Sequence, residues 1–369
     1  MGEWIKCKLS DLGTIVGGAT PSTKDEANYG GQIPWITPKD LSTLKGRFIS
    51  AGERNITEKG LHSCSTQMIP ENSVLFSSRA PIGYVAIASN PVCTNQGFKS
   101  IVPNAKTDAM FLYYLLTHNK DAIEAMGSGT TFKEVSGNTM RNIEVRIPKE
   151  KTEQARIASV LSAIDAKIEN NDRINDNLLQ QAQTIYADRF ITNADPTWPV
   201  GHLSDLVAVR YGKDHKKLAD GLIPVYGSGG LMRRVERALY DKESVLIPRK
   251  GTLNNVIYIN EPFWSVDTMF YTEMRVPNVA KFVYHFVSSK DLASMNAGSA
   301  VPSMTTDILN AMELQIPDET TLAAFEGLVA PMYRAMQENR VQSEKLAAMR
   351  DALLPRLMSG EIDVSDVKI

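Results

Sequence analysis

From residue 157 to residue 185 the apolar side chains fall at alternating spacings of four and three: Ile157, Leu161, Ile164, Ile168, then Leu178, Ala182 and Ile185. Asn171 and Asn175 fill the two slots between them. The same register recurs at Phe325, Val329, Met332 and Met336, then Asn339 and Ser343, then Leu346, Arg350 and Leu353. A hydrophobic repeat of about 3.5 residues marks the seam of a helix packed along a second helix. Each run of roughly 34 residues would extend about 50 Å at the α-helical rise. The two are expected to pack on each other. If they run antiparallel, Asn171 and Asn339 meet near the middle, where paired amides satisfy one another and penalise a slipped register.

Ahead of each helical run the pattern changes. Residues 1–150 and 195–318 carry short β-branched and aromatic runs, such as Ser73 to Phe76 and Val256 to Ile259, broken by Gly, Pro, Asn and Ser. These predict strands joined by loops. Helical pieces intervene at Ala109 to His118 and Val279 to Ser288, so each segment reads as mixed α and β.

The two halves also repeat each other. Trp4, Leu9, Ser10, Asp11 and Leu12 recur at one offset as Trp198, Leu203, Ser204, Asp205 and Leu206. Further on, Ile33-Pro34-Trp35 answers Ile223-Pro224-Val225, Ser73-Val74-Leu75 answers Ser244-Val245-Leu246, and Glu144 to Pro148 answers Glu313 to Pro317. Preserved order with drifting offset is the mark of a tandem duplication whose loops differ in length. The expected fold is therefore α+β: two mixed α/β domains alternating with two long helices that form an antiparallel coiled coil, related by an internal pseudo-two-fold duplication. The boundaries fall at 1–150, 151–190, 191–318 and 319–369.

Composition narrows the class. Over 369 residues, 43% hydrophobic and 22% charged is an ordinary globular balance, so neither disorder nor a fibre is expected. No apolar stretch approaches the roughly 20 residues of a membrane span. The three cysteines, Cys7, Cys64 and Cys93, are an odd set, and Met1 to Ser10 has no apolar signal core, which suits reduced thiols in a cytoplasm. His62 with Cys64 lacks a second pair at metal-ligand spacing, so no metal site is expected. No phosphate loop or G-x-G-x-x-G is present, and no cofactor is expected. Asp195-Pro196-Thr197-Trp198 approaches an aminomethyltransferase motif, but Thr stands at the second proline position and the stretch reads as a turn.

Several words carry a family resemblance: Gln154-Ala155-Arg156-Ile157-Ala158, Leu161 with Asp165-Ala166-Lys167-Ile168, and the tail from Arg350-Asp351-Ala352-Leu353-Leu354-Pro355-Arg356-Leu357 to Met358-Ser359-Gly360-Glu361-Ile362. Together with the alternation of variable domains and helices, the whole chain resembles the DNA-sequence specificity (S) subunits of type I restriction-modification systems. The second helix opens differently, with Leu322-Ala323-Ala324-Phe325. The resemblance implies two target-recognition domains that bind double-stranded DNA at a bipartite, asymmetric site. It also implies two methyltransferase (M) subunits bridged by the chain, restriction (R) subunits as further partners, and no chemistry performed by the chain itself. The alternatives are a self-sufficient DNA methyltransferase or nuclease, and a purely structural coiled-coil adaptor.

Charge is balanced overall, 40 basic against 42 acidic residues for a net of -2. Residues 1–150 hold 16 basic and 14 acidic side chains, and 195–318 hold 13 and 14, so any DNA surface must be local. Arg210, Lys213, Lys216 and Lys217 cluster around Tyr211 and His215, and Arg233 follows a Gly-rich loop with Tyr226 and Ser228. Such a run is either a solvated face or a phosphate clamp. Base reading needs Arg or Lys for guanine and Asn or Gln for adenine on ordered loops. Ser77, Ser78 and Arg79 are matched with Arg249, Lys250 and Thr252; Asn95 and Gln96 with Thr268; Thr130 and Lys133 with Ser299 and Ser303. Thr37 and Lys39 follow Trp35, whose ring either stacks on DNA or plugs the core. Each of these loop residues also suits plain turn duty. For the helix pair and the partner subunits, the candidates are Ile157, Leu161, Ile164, Ile168, Asn171, Leu178, Phe325, Val329, Met332, Met336, Asn339, Leu346, Leu353 and Leu354.

Overall fold

A computed structural model describes residues 2–129, 133–295 and 303–367. The chain forms two compact units that do not follow linear order: one is 1–172 with 339–369, the other 173–338. Each takes one mixed α/β head and part of each long helix.

In the first unit, β1 (Trp4–Lys8) pairs antiparallel with β10 (Glu144–Pro148). The main sheet has the order β2-β9-β6-β7-β4, from Gly13–Gly17, Lys99–Pro103, Val74–Ser78, Ile82–Ala88 and Phe48–Ile49. A smaller sheet runs β5-β3-β8, from Arg54–Ile56, Tyr29–Ile36 and Cys93–Thr94. Strand β6 is buried along its whole length, as expected of a central strand covered on both faces. The head's helix α1 (Ala109–His118) opens with Asp108 accepting from the Phe111 N–H, and it buries Phe111, Leu112, Tyr114, Leu115 and Leu116.

The long helix α2 (Lys151–Ala187) supplies Ile157, Ala158 and Leu161 to that same core. The end of α4 (Glu319–Met358) supplies Leu357 and Met358, with Val364 beyond it and Leu353 and Leu354 partly buried against it. Gly360 has φ +78, and a Cβ there would lie 2.8 Å from the Trp4 indole; only glycine lets the tail turn so close to β1.

The second unit repeats this strand order, except that among the described residues no strand answers β4. β11 (Val200–His202) pairs with β19 (Glu313–Gln315). The main sheet is β12-β18-β15-β16, from Val207–Tyr211, Met269–Met274, Ser244–Pro248 and Ile257–Ile259. The smaller sheet is β14-β13-β17, from Gly230–Val235, Asp220–Gly227 and Trp264–Ser265. Helix α3 (Ala280–Ser288) lies in a core with Ala182, Tyr186 and Phe190 from the end of α2 and its continuation, and with Leu322, Phe325 and Val329 from α4.

The apolar seam is thus real but divided. Ile157 and Leu161 belong to the first core and Phe325 and Val329 to the second, with Met332 and Met336 partly buried there. Ile164 is buried, and Ile168, Leu178 and Leu346 are half-buried. Within the first unit Asp165 meets Arg350 and Asn171 meets Asn339, Gln342 and Ser343; within the second, Asn175 meets Met336. Rising numbers on α2 meet falling numbers on α4, so the segments run antiparallel in each unit. Helix α4 also continues through Gly327 and Pro331. Proline there removes one helical N–H, and the exposed Gly327 carbonyl region can turn to water instead.

Candidate nucleic-acid interface

The sheet registers gather distant loops at one edge of each head. In the first, Gly17 faces Lys99, Ser77 faces Phe98 and Ser78 faces Ile82, so the ends of β2 and β6 and the starts of β7 and β9 lie together. In the second, Tyr211 faces Phe270 and Pro248 faces Met269, which gathers the corresponding ends.

At the first edge the Ser78 N–H donates to the Gly97 carbonyl at 2.7 Å, and the Val135 N–H donates to the Ser78 carbonyl at 2.9 Å. Arg79 bridges to Glu134 through the backbone and lies 3.6 Å from its carboxylate, and Lys99 lies 3.1 Å from the same group. Glu134 therefore holds two cations side by side. Asn95 turns its own loop, its Oδ1 accepting from the Gly97 N–H, while exposed Gln96 accepts from the Thr20 hydroxyl.

Several expected contacts move on this evidence. Ser77 and Ser78 are fully buried: the Ser77 hydroxyl donates to the Pro81 carbonyl and accepts from the Tyr84 N–H, and Ser78 donates to Gly97. They shape the loop rather than face solvent, because they close a central strand instead of an exposed turn. Tyr226 is likewise core, at 5% exposure. Thr37 is committed to Asp40, which accepts from both its N–H and hydroxyl, and Lys39 is paired with Glu53 at 2.6 Å. Trp35 is core, with its N–H spent on the Ala19 carbonyl. Lys133 is exposed beside Glu134; Thr130 and Ser299 lie outside the described residues.

At the second edge Arg249 stacks its guanidinium over the Tyr211 ring at 5.3 Å and donates to the Asp267 carbonyl. Its backbone N–H donates to the Thr268 carbonyl, and the Met304 N–H donates to its carbonyl. Lys250 is exposed and bridges to Ser303. The hairpin between β13 and β14 adjoins this loop, since Asn255 donates to the Ser228 carbonyl. Thr252 and Lys213 are exposed and Thr268 is half-buried. Arg210 pairs with Glu273 at 3.0 Å, and Arg233 is bound to Asp220 and the Leu218 carbonyl.

The backbone bonds correct the matching between the heads. Ser78 bonds Gly97 as Arg249 bonds Thr268, and Arg79 bridges to Glu134 as Lys250 bridges to Ser303. The basic residue at the shared position is thus Arg79 or Lys250. Arg249 stands where the first head has Ser78, and its stacking partner Tyr211 stands where the first head has Gly17. The second edge carries a guanidinium stacked on an aromatic ring, whereas at the first edge Arg79 lies beside the Glu134 carboxylate. Sequence reasoning missed Glu134, Asn255 and the Arg249–Tyr211 stack. The constant offset from Val74 to Val245 would have aligned Ser78 with Arg249 had it been carried through the loop.

Behind each edge a buried polar cluster ties the head to its helices. In the first unit Arg47 makes a two-bond fork with Glu169 of α2, at 2.9 and 3.1 Å. Burial works against its charge, but these bonds prevail and raise its pKa. Its Nη1 also reaches the Tyr114 hydroxyl, which donates to Asp165, and Asp165 accepts from Arg350 of α4 at 2.8 Å. In the second unit Lys281 lies between Glu243 and Glu326 at 2.8 and 2.7 Å. His285 faces the Tyr333 hydroxyl at 2.9 Å, and burial holds its pKa down at about 4. Among the described residues no group of His, Cys, Asp and Glu is arranged to hold a metal, and no helix is long and apolar enough to cross a membrane.

Two mixed heads, each with a polar loop edge and each seated on antiparallel helices, define a recognition and scaffolding protein. The family model for the type I restriction modification DNA specificity domain matches residues 1–180 and 196–321, and the chain belongs to this family. It is 31% identical to the type I restriction enzyme MjaIX specificity subunit of Methanocaldococcus jannaschii over 99% of this chain and 95% of that one. It is 23% identical to the EcoprrI specificity subunit of Escherichia coli over 85% and 83%. The crystal structure of a type I restriction-modification system S subunit from M. genitalium shares the fold, with a TM-score of 0.60, 17% identity and 96% of each chain covered. The chain is accordingly a DNA-specificity subunit and not the catalytic component, and a self-sufficient methyltransferase or nuclease is set aside.

Proposed function

We propose that the two heads, 1–150 and 191–318, each read one half of a bipartite, asymmetric double-stranded DNA site in the cytoplasm. In this reading the helical regions 151–190 and 319–369 carry two methyltransferase subunits, joined by restriction subunits where cleavage occurs. The observation that carries it is the shared edge: matched strand ends in both heads present a basic residue, Arg79 or Lys250, among loops of differing composition. Common strand order, sheet by sheet, supports an internal duplication. Phosphate contacts by Lys133, Arg79, Lys213 and Lys250 would supply affinity, and Gln96, Asn95, Arg249, Thr252 and Thr268 the reading. Arg210, Arg233, Ser228 and Ser303 flank the second edge in supporting positions.

The test is to replace residues 1–150 with the equivalent domain of a related chain and sequence the methylated motif. One half should change while the other stays. An exchange that rewrites both halves, or neither, removes the modular reading. Purified chain incubated with S-adenosylmethionine and DNA should show no turnover on its own.

A further inference from the structure

Two tryptophans make the same hydrogen bond from opposite strands. In the first head Trp35 on β3 faces Cys93 on β8; in the second Val225 on β13 faces Trp264 on β17. The rungs are equivalent, yet the indole has crossed from one strand to its neighbour. Both rings are buried, at 6% and 7% exposure. The Trp35 indole donates to the Ala19 carbonyl at 3.0 Å, and the Trp264 indole donates to the Lys213 carbonyl at 2.8 Å.

Those two carbonyls occupy the same place. Ala19 and Lys213 each follow a glycine just beyond the first strand of the main sheet, and each donates its N–H to the parallel strand, Ala19 to Thr94 at 3.1 Å and Lys213 to Ser265 at 2.8 Å. The glycines allow the approach: a Cβ on Gly18 would lie 2.1 Å from the Thr94 carbonyl oxygen, and one on Gly212 2.0 Å from that of Val266. A merely space-filling ring would not need to return its N–H to the same atom after changing strands. The far ends of the loops are fixed too, by Tyr29 donating to the Pro21 carbonyl and Asn28 to Ser22 in one head, and by Arg233 donating to the Leu218 carbonyl in the other.

Held at both ends, each loop projects polar and cationic groups from the edge already described. Lys24 is exposed in the first; Lys213, Lys216 and Lys217 are exposed in the second, with no ion pair among the described residues. Asp214 lies among these lysines, its carboxyl pKa held down chiefly by the Lys216 N–H and also by the Lys216 charge, but three lysines outweigh one aspartate. On a preset loop such an excess suits phosphate oxygens, since little ordering remains to be done on binding. We propose that loops 19–25 and 213–218 are DNA-backbone contacts, and that Trp35 and Trp264 are positioning residues that seat them. This rests on the DNA-reading function above; beyond Lys213 it assigns Lys24, Lys216 and Lys217, and the device that seats both loops.

The experiment measures binding of the full chain to a mixed-sequence DNA duplex across a range of salt concentrations. Replacing Lys213, Lys216 and Lys217 together by alanine should flatten the slope of log affinity against log salt by about 2 to 3, at close to 0.9 per phosphate, and Lys24→Ala by about 1. Trp264→Phe, which keeps an aromatic ring in the core but removes the indole N–H, should weaken binding several-fold. Its effect should largely vanish in the background lacking the three lysines, whereas general destabilisation would add in full. An unchanged slope in the lysine variants, or a Trp264→Phe loss that is fully additive, overturns the proposal. Should Trp264→Phe fail to fold, an unchanged slope in the lysine variants still overturns it. If the unaltered chain shows no salt-dependent affinity for duplex DNA, the functional reading itself fails instead.

Discussion

Removing Glu169 should cost more than removing Glu169 and its partner together. The Arg47 side chain is 7% exposed and that of Glu169 33%. In Glu169→Ala the guanidinium stays buried without its two-bond fork, keeping the Tyr114 hydroxyl at 3.3 Å and the weakly accepting Met110 Sδ at 3.8 Å. Stripping the counter-charge from a buried ion costs about 3 to 5 kcal/mol. In Arg47→Met the apolar stem is replaced and the carboxylate, a third exposed, can recover water, so the loss is about 1 to 2 kcal/mol. The double variant leaves neither charge stranded and should also lose about 1 to 2 kcal/mol, less than Glu169→Ala alone. With two units the chain need not unfold in one step, so a single melting temperature is the wrong readout. Hydrogen exchange resolved by peptide is the right one, comparing amides of β6 and β9 in the first unit with those of β15 and β18 in the second. Protection should fall in the first set only. A double variant as damaged as the sum of its parts would refute the reasoning, since it would mean that the two groups stabilise independently.

Other outcomes follow from the same geometry. His285 sits near a pKa of about 4 in the fold against 6.5 when exposed, so the fold holds it neutral. Its contribution is complete above pH 6.5 and is lost as pH falls toward 4, amounting to roughly 3 kcal/mol; amide exchange in the second unit should rise across that window, and His285→Gln should abolish the rise. Truncation before Leu346 removes Arg350, Leu357, Met358 and Val364 from the first core; exchange protection should collapse in the first unit while β15 and β18 keep theirs, so lost partner binding would then report unfolding as well as a missing surface. Arg249→Ala should relax base preference at one position of one half-site by roughly tenfold or more, read from the methylated motif, with the other half unchanged.

Long-period features were legible in the sequence and side-chain exchanges were not. The long helices and the matching of strand segments between the halves follow from periodicity and from words such as Ser73-Val74-Leu75 and Ser244-Val245-Leu246, which survive because core strands tolerate few substitutions. The edge was harder. Ser77 and Ser78 read as turn residues by composition, yet they end a strand flanked on both sides, and their hydroxyls turn inward to bond loop carbonyls. The crossing of the indole from β3 to β17 hides as a plain Trp-to-Val difference, because the parallel pairing that makes the two sites neighbours joins residues far apart in sequence. The cations that seat each head are unrelated in position, Arg47 before β4 and Lys281 on α3, so no repeat could reveal them.

The polar interruption of the helix seam shows how spacing can name the right residue and the wrong bond. Asn171 is fully buried, but instead of pairing amide to amide with Asn339 it lies within reach of the Gln342 Oε1 at 2.9 Å, the Ser343 hydroxyl at 3.1 Å and the Asn339 carbonyl at 3.3 Å. A donor that finds main-chain and side-chain acceptors on one turn of α4 fixes register as well as a matched pair does. Sliding by one heptad would set it against Met332 or Leu346, leaving a buried amide unbonded at about 1 to 3 kcal/mol. Asn171→Leu should therefore raise the thermal midpoint of the first unit, because an apolar side chain suits the seam, while loosening the choice of register. The second effect is visible as faster exchange in α2 and α4 around this layer despite the higher midpoint. A midpoint that falls instead would mean that the amide's bonds outweigh the cost of burying it, and that the layer holds the helices together rather than merely selecting how they align.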